Sequence, residues 1–133
     1  MKSEFSEGMR TTFEVGQRAF NAGDFETAFA NLTDDFEWRM GAWIPDASDL
    51  HGRQSVIDFF RHLQDAGEWE VRLVDVEDLG DGVLMLEQEG TWTGRSSGLT
   101  GERRFFQVWD FADGRATRVR EYETREEALA AGA

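Results

Sequence analysis

The sequence predicts a single α+β domain in which helices pack on one face of a mostly antiparallel sheet. Apolar residues follow helical spacing through most of the first half of the 133 residues, and strand-like patterns fill the second half. No linker, internal repeat or low-complexity segment divides the two halves. The strands are longer than the usual length of about five or six residues. We therefore expect them to bend around a helix and to form a cone with a hollow end.

Two helices are predicted at the start of the chain. The first runs over Glu4 to Asn21, with Ser3 or Ser6 available as its cap and Gly23 as a left-handed stop. Its apolar stripe comprises Phe5, Met9, Phe13 and Phe20. Asp24 is a favourable N-cap for a short second helix. The stripe of that helix comprises Phe25, Ala28, Phe29 and Leu32.

A short strand and a third helix follow. Residues Phe36 to Met40 alternate, which places Phe36, Trp38 and Met40 on one face. The irregular stretch from Gly41 to Gly52 contains Trp43, and it is either a lid packed on the core or a mobile ligand gate. A helix is predicted over Arg53 to Ala66. Its core stripe comprises Val56, Ile57, Phe60 and Leu63, and Phe59 and His62 flank that stripe.

The rest of the chain consists mainly of strands. Alternation begins at Trp69, and its phase slips at Leu73 and Val74, which predicts a β-bulge and a bend. Three long strands then run from Val83 to Thr93, Leu99 to Phe111 and Arg115 to Glu123. Thr124 and Glu127 form a capping box, which predicts a short C-terminal helix.

Composition excludes several classes of function. With 14 Lys and Arg against 27 Asp and Glu, the net charge is −13, which disfavours binding to nucleic acid or to an anionic membrane. The absence of Cys excludes disulfides, thiolate metal sites and a Cys nucleophile. No secretory signal or run long enough to span a membrane is visible, so we expect a cytoplasmic protein.

Two polar residues are predicted to share the concave face of the sheet. In the last strand, Val119 and Glu121 share a face, and in the preceding strand Gln107 lies between Phe105 and Trp109. If these apolar faces point inward, Gln107 and Glu121 meet in the hollow end. Burial would raise the pKa of the carboxyl, as general acid–base chemistry near neutral pH requires. The alternative is a paired carboxylate with a structural role.

Other candidate residues leave alternatives open. Glu87 and Glu89 share one face of their strand, and the sequence does not decide whether that face points inward. If Glu89 faces the hollow, two carboxylates divide the acid and base roles; otherwise it is solvated or faces a dimer partner. His51 and His62 have no partner at metal-ligand spacing, so no metal site is predicted. His62 either reaches the hollow or lies on the helix surface.

An aromatic cavity for a small apolar molecule is predicted, although such side chains also serve as ordinary core. The candidate catalytic residues are Glu121 and Gln107. The candidate substrate contacts are Phe20, Trp38, Met40, Trp43, Phe59, His62, Glu89, Phe105, Trp109 and Val119.

Several short motifs occur in a recognisable order. They are Asn21–Phe25, Leu32–Trp38, Leu50–Phe60, Trp109–Ala116 and Arg120–Leu129. Together they resemble the nuclear transport factor 2-like superfamily, in particular its SnoaL-like branch. This resemblance implies a cystatin-like α+β barrel, a curved sheet cupped around helices with a deep apolar pocket, and a homodimer through the open face of the sheet. Functions vary widely on this fold, so the resemblance does not fix the activity.

The catalytic residues of these relatives transfer only in part. The Asp base of ketosteroid isomerases falls on Met40, their Tyr on Gly16, and their protonated Asp at or beside Gln107. All three roles are lost. In SnoaL-like polyketide cyclases, the acid–base carboxylate falls on Glu121 and the His of the preceding strand on Gln107. The Asp-Arg-Asp arrangement of limonene epoxide hydrolases has no match.

The resemblance therefore implies a small-molecule-binding SnoaL-like protein. It is either a cofactor-free isomerase, cyclase or hydratase that acts by proton transfer, or a binding or dimerisation module without chemistry.

Overall fold

The computed structural model describes residues 3–41, 49–94 and 100–132. Its elements in chain order are α1 (Glu4–Asn21), α2 (Phe25–Ala28), β1 (Leu32–Arg39), β2 (Leu50–His51), α3 (Arg53–Ala66), β3 (Gly67–Gly80), β4 (Val83–Gly94), β5 (Thr100–Ala112), β6 (Arg115–Tyr122) and α4 (Arg125–Gly132). The stretch around Trp43 and the predicted turn at 96–98 lie outside the described residues.

The strands form one six-stranded sheet in the order β2-β1-β6-β5-β4-β3. All neighbouring pairs are antiparallel except β1 and β6, which are parallel. The sheet is curved and does not close, since β2 and β3 are its edges. The pairing of β3 with β4 shifts register between Leu73 and Asp75, which confirms the predicted bulge. The predicted α+β cone is therefore confirmed, with an open sheet rather than a closed barrel.

The long helices begin and end at the predicted residues. At the start of α1, Ser3 and Ser6 form a reciprocal capping box. Along α1, Phe13 packs edge-on against Trp109 of β5, with ring centroids 5.0 Å apart. Because this contact joins the helix to the middle of the sheet, α1 covers the concave face.

Two local predictions were wrong. The second helix ends at Ala28 rather than at Leu32, because β1 starts at Leu32 and pairs with Ala116 of β6. The short strand β2 was not predicted, and its Leu50 pairs with Trp38. In both cases a strand partner distant in sequence determines the local structure.

The two faces of the sheet carry separate apolar clusters. The larger cluster joins the concave face to α2 and α3, and includes Phe36, Trp38, Ile57, Leu86 and Val119. The smaller one lies on the convex face beneath α4, and includes Met85, Phe106, Val108 and Ala128. Helix α4 thus covers part of the convex face.

Within the described ranges, no helix is long and apolar enough to cross a membrane. The cytoplasmic location expected from the sequence stays a prediction.

Candidate functional site

A cavity of about 460 Å³ lies between the helices and the concave face of the sheet. Its wall is largely apolar and aromatic. The wall residues from the helices and the segment after them are Met9, Thr12, Phe13, Gly16, Gln17, Phe20, Ala28, Phe29, Asn31, Phe60 and Leu63. Those from the strands are Leu32, Trp38, Trp69, Val71, Gln88, Gly90, Thr91, Trp92, Gly101, Glu102, Arg103, Phe105, Gln107, Trp109, Phe111, Ala116 and Glu121. Such a wall suits an apolar small molecule.

A chain of four polar side chains crosses this apolar wall. The Gln17 amide donates to Gln88 Oε1, and the Gln88 amide donates to Gln107 Oε1. The Gln107 amide in turn donates to Glu121 Oε2 over 2.6 Å. We call Gln17, Gln88, Gln107 and Glu121 the amide chain. It connects α1 through β4 and β5 to β6, and every amide in it donates towards Glu121.

Strand register explains why these side chains meet. Gln107 and Glu121 are directly opposite each other in the pairing of β5 with β6. Gln88 pairs with Phe105, two residues before Gln107, so it is the diagonal neighbour of Gln107 on the same face. Gln107 and Glu121 therefore lie side by side on the concave face, as the alternation of the two strands predicts.

Glu121 is a carboxyl group in an apolar environment. It is half-buried overall, and its side chain lines the cavity. Burial raises its pKa above the ordinary value of 4.5, because the charged form loses hydration. The Gly41 N–H, 2.9 Å from Oε1, and the Gln107 amide oppose this rise by stabilising the charged form. The Trp38 indole also lowers the pKa of Glu121 by stabilising the charged form, although its N–H does not reach full hydrogen-bond geometry.

Six of the predicted site residues line the cavity. They are Phe20, Trp38, Phe105, Gln107, Trp109 and Glu121. Five others lie elsewhere in the described structure. Val119 is fully buried in the core, and Met40 and Phe59 pack against that core without lining the cavity. His62 is exposed on α3, and Glu89 lies on the convex face. Trp43 is outside the described residues.

The structure shows that Glu87 and Glu89 point away from the cavity. Leu84, Leu86 and Gln88 of β4 face the core and the cavity, so the intervening residues face the other way. Arg104 of β5 binds both carboxylates, with Nη1 2.7 Å from Glu87 and Nη2 2.9 Å from Glu89. The expectation that Glu89 joins Glu121 in the cavity is therefore wrong, since only Glu121 of these three carboxylates lines it.

Sequence reasoning missed two members of the amide chain. Gln88 has the same strand parity as Leu84 and Leu86, so assigning that face inward would have found it. Gln17 follows Met9 and Phe13 at intervals of four along α1. It therefore shares their face, but its polar side chain did not fit the expected apolar stripe.

The described wall offers little for a metal or an anionic cofactor. Within residues 3–41, 49–94 and 100–132, no three His, Asp or Glu side chains converge closely enough to hold a metal ion. The charged wall residues besides Glu121 are Glu102 and Arg103, which are exposed at one end of β5. The arrangement is suited to binding an apolar molecule and to moving a proton at Glu121.

Comparison with solved structures agrees with this fold. A nuclear transport factor 2-like protein of unknown function from Burkholderia pseudomallei is 22% identical, with a TM-score of 0.75 over 94% of this chain and 96% of that one. An epoxide hydrolase of Mycobacterium tuberculosis, similar to limonene epoxide hydrolase, is 19% identical, with a TM-score of 0.72 over 98% and 88%. A second M. tuberculosis protein, in complex with estradiol-17β-hemisuccinate, is 20% identical, with a TM-score of 0.72 over 91% and 96%.

At these identities, the similarity concerns the fold. A search of curated proteins finds no match to this chain. A family model does match, and it covers residues 16–119 with the description "SnoaL-like domain". This range includes α1 from Gly16 onwards, strands β1 to β5, and β6 as far as Val119, so it ends two residues before Glu121. The chain therefore belongs to the SnoaL-like domain family of the nuclear transport factor 2-like superfamily.

Proposed function

We propose that this protein is a cofactor-free enzyme that isomerises, cyclises or hydrates a small apolar molecule by proton transfer. Glu121 is the proton carrier. The observation that supports this most strongly is a carboxyl group of raised pKa in the wall of an apolar cavity. A raised carboxyl pKa allows one group to act as base and then as acid near neutral pH.

The proposed step uses both Glu121 and Gln107. The Glu121 carboxylate takes a proton from a carbon next to a carbonyl, so a C–H bond breaks and an O–H bond forms on the carboxyl. The electron pair passes to the carbonyl oxygen. As the carbonyl re-forms and the electron pair returns, the Glu121 carboxyl delivers a proton to the substrate, and in D₂O it exchanges that proton with solvent first and delivers a deuteron. Gln107 has a second amide hydrogen beyond the one donated to Glu121, and it can orient a substrate oxygen.

Proton exchange in D₂O tests this step without a known substrate. A panel of apolar cyclic ketones is incubated with the protein, and loss of the α-proton signal is followed by NMR. We expect exchange with the native protein and a loss of about a hundredfold or more in Glu121→Gln, the usual scale for general acid–base catalysis. Glu89→Gln is the matched control on the convex face and should exchange normally. Equal rates in the native protein and Glu121→Gln would refute the assignment.

A second candidate is a binding protein of the same fold that holds an apolar ligand without chemistry. It is favoured by Gln107, which stands where SnoaL-like cyclases carry a His and cannot carry a proton. The similar M. tuberculosis protein in complex with an estradiol derivative also supports a bulky apolar ligand. A ligand panel separates the two candidates: a raised melting temperature without proton exchange supports binding alone.

A third candidate, a dimerisation module without a ligand, requires a filled cup. The cavity of about 460 Å³ does not support it.

We also propose a homodimer through the convex face of the sheet. The outward charges on this face are largely paired, as in the contacts of Arg104 with Glu87 and Glu89, so little uncompensated charge would be buried. Sedimentation should give about twice the monomer mass of 15.2 kDa. A single species at the monomer mass across the micromolar range would reject the dimer.

A further inference from the structure

The side-chain amide of Gln107 has three hydrogen-bond partners, because Gln88 and Trp109 donate to its oxygen and its NH₂ group donates to Glu121. The Trp109 indole Nε1 donates to Gln107 Oε1 over 2.9 Å, and Gln107 Nε2 donates to Glu121 Oε2 over 2.6 Å. Gln107 and Trp109 are both buried, with exposed fractions of 3% and 7%. Water therefore offers little substitute for either bond.

The indole settles the orientation of this amide. An indole N–H can only donate, so the Gln107 atom that faces Trp109 must be the carbonyl oxygen. The NH₂ group must then face Glu121. A rotation of the amide by 180° would place a donor against the indole donor and leave both unsatisfied in a buried site, which is costly. The same logic fixes Gln88, whose NH₂ faces the Gln107 oxygen.

The second carboxyl oxygen of Glu121 also faces an obligate donor. The backbone N–H of Gly41 lies 2.9 Å from Oε1. Each oxygen of the carboxyl is therefore engaged by a group that can only donate in this arrangement. When Glu121 is protonated, its hydrogen must occupy a lone pair directed at neither Gln107 nor Gly41. The Trp38 indole N–H also acts on the carboxyl, but it lacks full hydrogen-bond geometry. Because the Glu121 side chain lines the cavity, we take the cavity as the direction of the remaining lone pair.

We infer that Trp109 is a positioning residue: by fixing the Gln107 amide, its indole N–H makes Glu121 hold its exchangeable proton on the cavity side. The use of that proton rests on the proposed function, whereas its placement is inferred from the hydrogen bonds of the carboxyl and from its position in the cavity wall. The class of substrate that fits is an apolar molecule with a hydrogen-bond acceptor or an acidic C–H group beside Glu121.

Among residues 3–41, 49–94 and 100–132, the other charged side chains of the cavity wall are Glu102 and Arg103. Arg103 and Glu123 approach each other at 3.7 Å, and Glu102 stands at the exposed end of β5. Helices α1, α2 and α3 contribute no charged side chain to the described cavity wall. Within the described wall, the hydrogen-bond direction of the amide chain acts on the proton position together with the Gly41 N–H and the Trp38 indole.

The test measures the carboxyl pKa of Glu121 by ¹³C NMR on protein labelled at the glutamate side-chain carboxyl, with the signal assigned from its absence in Glu121→Gln. In Trp109→Phe, no indole donor fixes the direction of the amide chain, so the Gln107, Gln88 and Gln17 amides can reverse together. The Gln107 oxygen then accepts a hydrogen bond from the protonated acid. We expect the pKa to rise by about half to one unit. Trp69→Phe is the matched control, because the Trp69 indole N–H has no hydrogen-bond partner in the described structure. It should leave the pKa unchanged.

A second pair of variants shows whether Trp109 acts through Gln107. Gln107→Met removes the amide and keeps the side-chain length. In that background, adding Trp109→Phe should change the pKa by less than about 0.2 units, since there is no amide left to orient. An unchanged pKa in Trp109→Phe alone, or the same rise with and without the Gln107 amide, would overturn the inference.

The native protein provides a measurement that does not depend on any variant folding. The ¹⁵N-labelled Trp109 indole N–H should keep its chemical shift while Glu121 titrates, because the amide keeps its orientation in both protonation states. A large shift of that signal at the Glu121 midpoint would mean that the amide rotates, and it would overturn the inference. These readouts need no substrate, so a failure of the proposed proton exchange leaves them intact.

Discussion

Gln107 donates its side-chain amide to Glu121 over 2.6 Å, across two neighbouring strands whose register places the two residues directly opposite each other. The pair lies on the concave face of a sheet whose inner surface is otherwise mainly aromatic and aliphatic. A carboxyl in this position is partly stabilised by donors and still lacks the hydration of an exposed one. Stability, ligand binding and proton transfer should each depend on it.

The raised pKa of Glu121 predicts a sign for the pH dependence of stability. Because the folded state holds this proton more tightly than the unfolded state, the contribution is fully present below the ordinary value of 4.5 and is lost as pH rises through the raised value. The free energy of unfolding of the native protein, minus that of Glu121→Gln, should therefore fall as pH increases. Each unit of elevation removes about 1.4 kcal/mol. Urea unfolding from pH 4 to pH 8 measures this difference, and a flat or rising difference would contradict the assignment.

Gly101 leaves space at one end of the cavity. A Cβ atom there would stand 3.9 Å from the Trp92 ring, an ordinary contact, so a larger side chain can be built without distorting the strand. We expect Gly101→Val to weaken binding of the neutral dye N-phenyl-1-naphthylamine about tenfold, with little loss of stability. Thr100→Val, the preceding position of the same strand, is the control. Fluorescence titration that shows equal affinities would argue that the dye binds elsewhere.

Gly8 lies in the interior of α1, where nothing approaches within 4 Å of an added Cβ. Gly8→Ala should therefore raise the free energy of unfolding by about 0.5–1 kcal/mol, the usual gain at an exposed helix position. Gly16→Ala offers a comparison in the same helix, since its Cβ would meet the Ala28 carbonyl oxygen at 3.5 Å and would enter the cavity wall. Thermal or urea unfolding of both variants measures the difference. A destabilised Gly8→Ala would mean that α1 does not continue through this position.

Arg104 holds two carboxylates on the convex face. Its guanidinium binds Glu87 and Glu89, whose side chains are 15% and 23% exposed, while the Arg104 side chain itself is 52% exposed. Arg104→Met should cost about 1 kcal/mol of stability, the sum of two modest ion pairs, and less at high salt. Dye binding in the cavity should be unchanged, because Arg104, Glu87 and Glu89 lie on the opposite face of the sheet. Weaker binding in this variant would place Glu87 or Glu89 in contact with the site.

The elements that could be predicted from the sequence are those determined by local signals. The cap at Ser3 and the apolar stripe of α1 were sufficient for its bounds, and the phase slip at Leu73 was sufficient for the bulge. The start of β1 at Leu32 was not predictable in this way, because its parallel partner β6 lies more than 80 residues later. Secondary structure that depends on a distant partner is not encoded in a local window.

The residues of the candidate site likewise divide into those that local patterns reveal and those that depend on distant contacts. Alternation in β5 and β6 identified Gln107 and Glu121, because Gln107 lies between Phe105 and Trp109 on the more apolar face of β5 and Glu121 shares a face of β6 with Val119. Strand β4 is apolar on both faces, with Leu86 in the core and Met85 beneath α4. Alternation along β4 therefore could not show which face of the sheet Glu89 occupies. The contribution of Gln17 depends on how α1 docks on the sheet, which no pattern within α1 reveals.

The most direct test of the account is the titration of Glu121 itself in the native protein. With ¹³C-labelled glutamate carboxyls and the Glu121→Gln spectrum for assignment, the Glu121 signal should titrate with a midpoint clearly above 4.5, the ordinary glutamate value. Filling the cavity with a neutral apolar ligand should move that midpoint higher still, because it removes remaining water from the carboxyl. A midpoint at or below 4.5 that does not respond to ligand would contradict the central claim that Glu121 is a proton carrier in an apolar site.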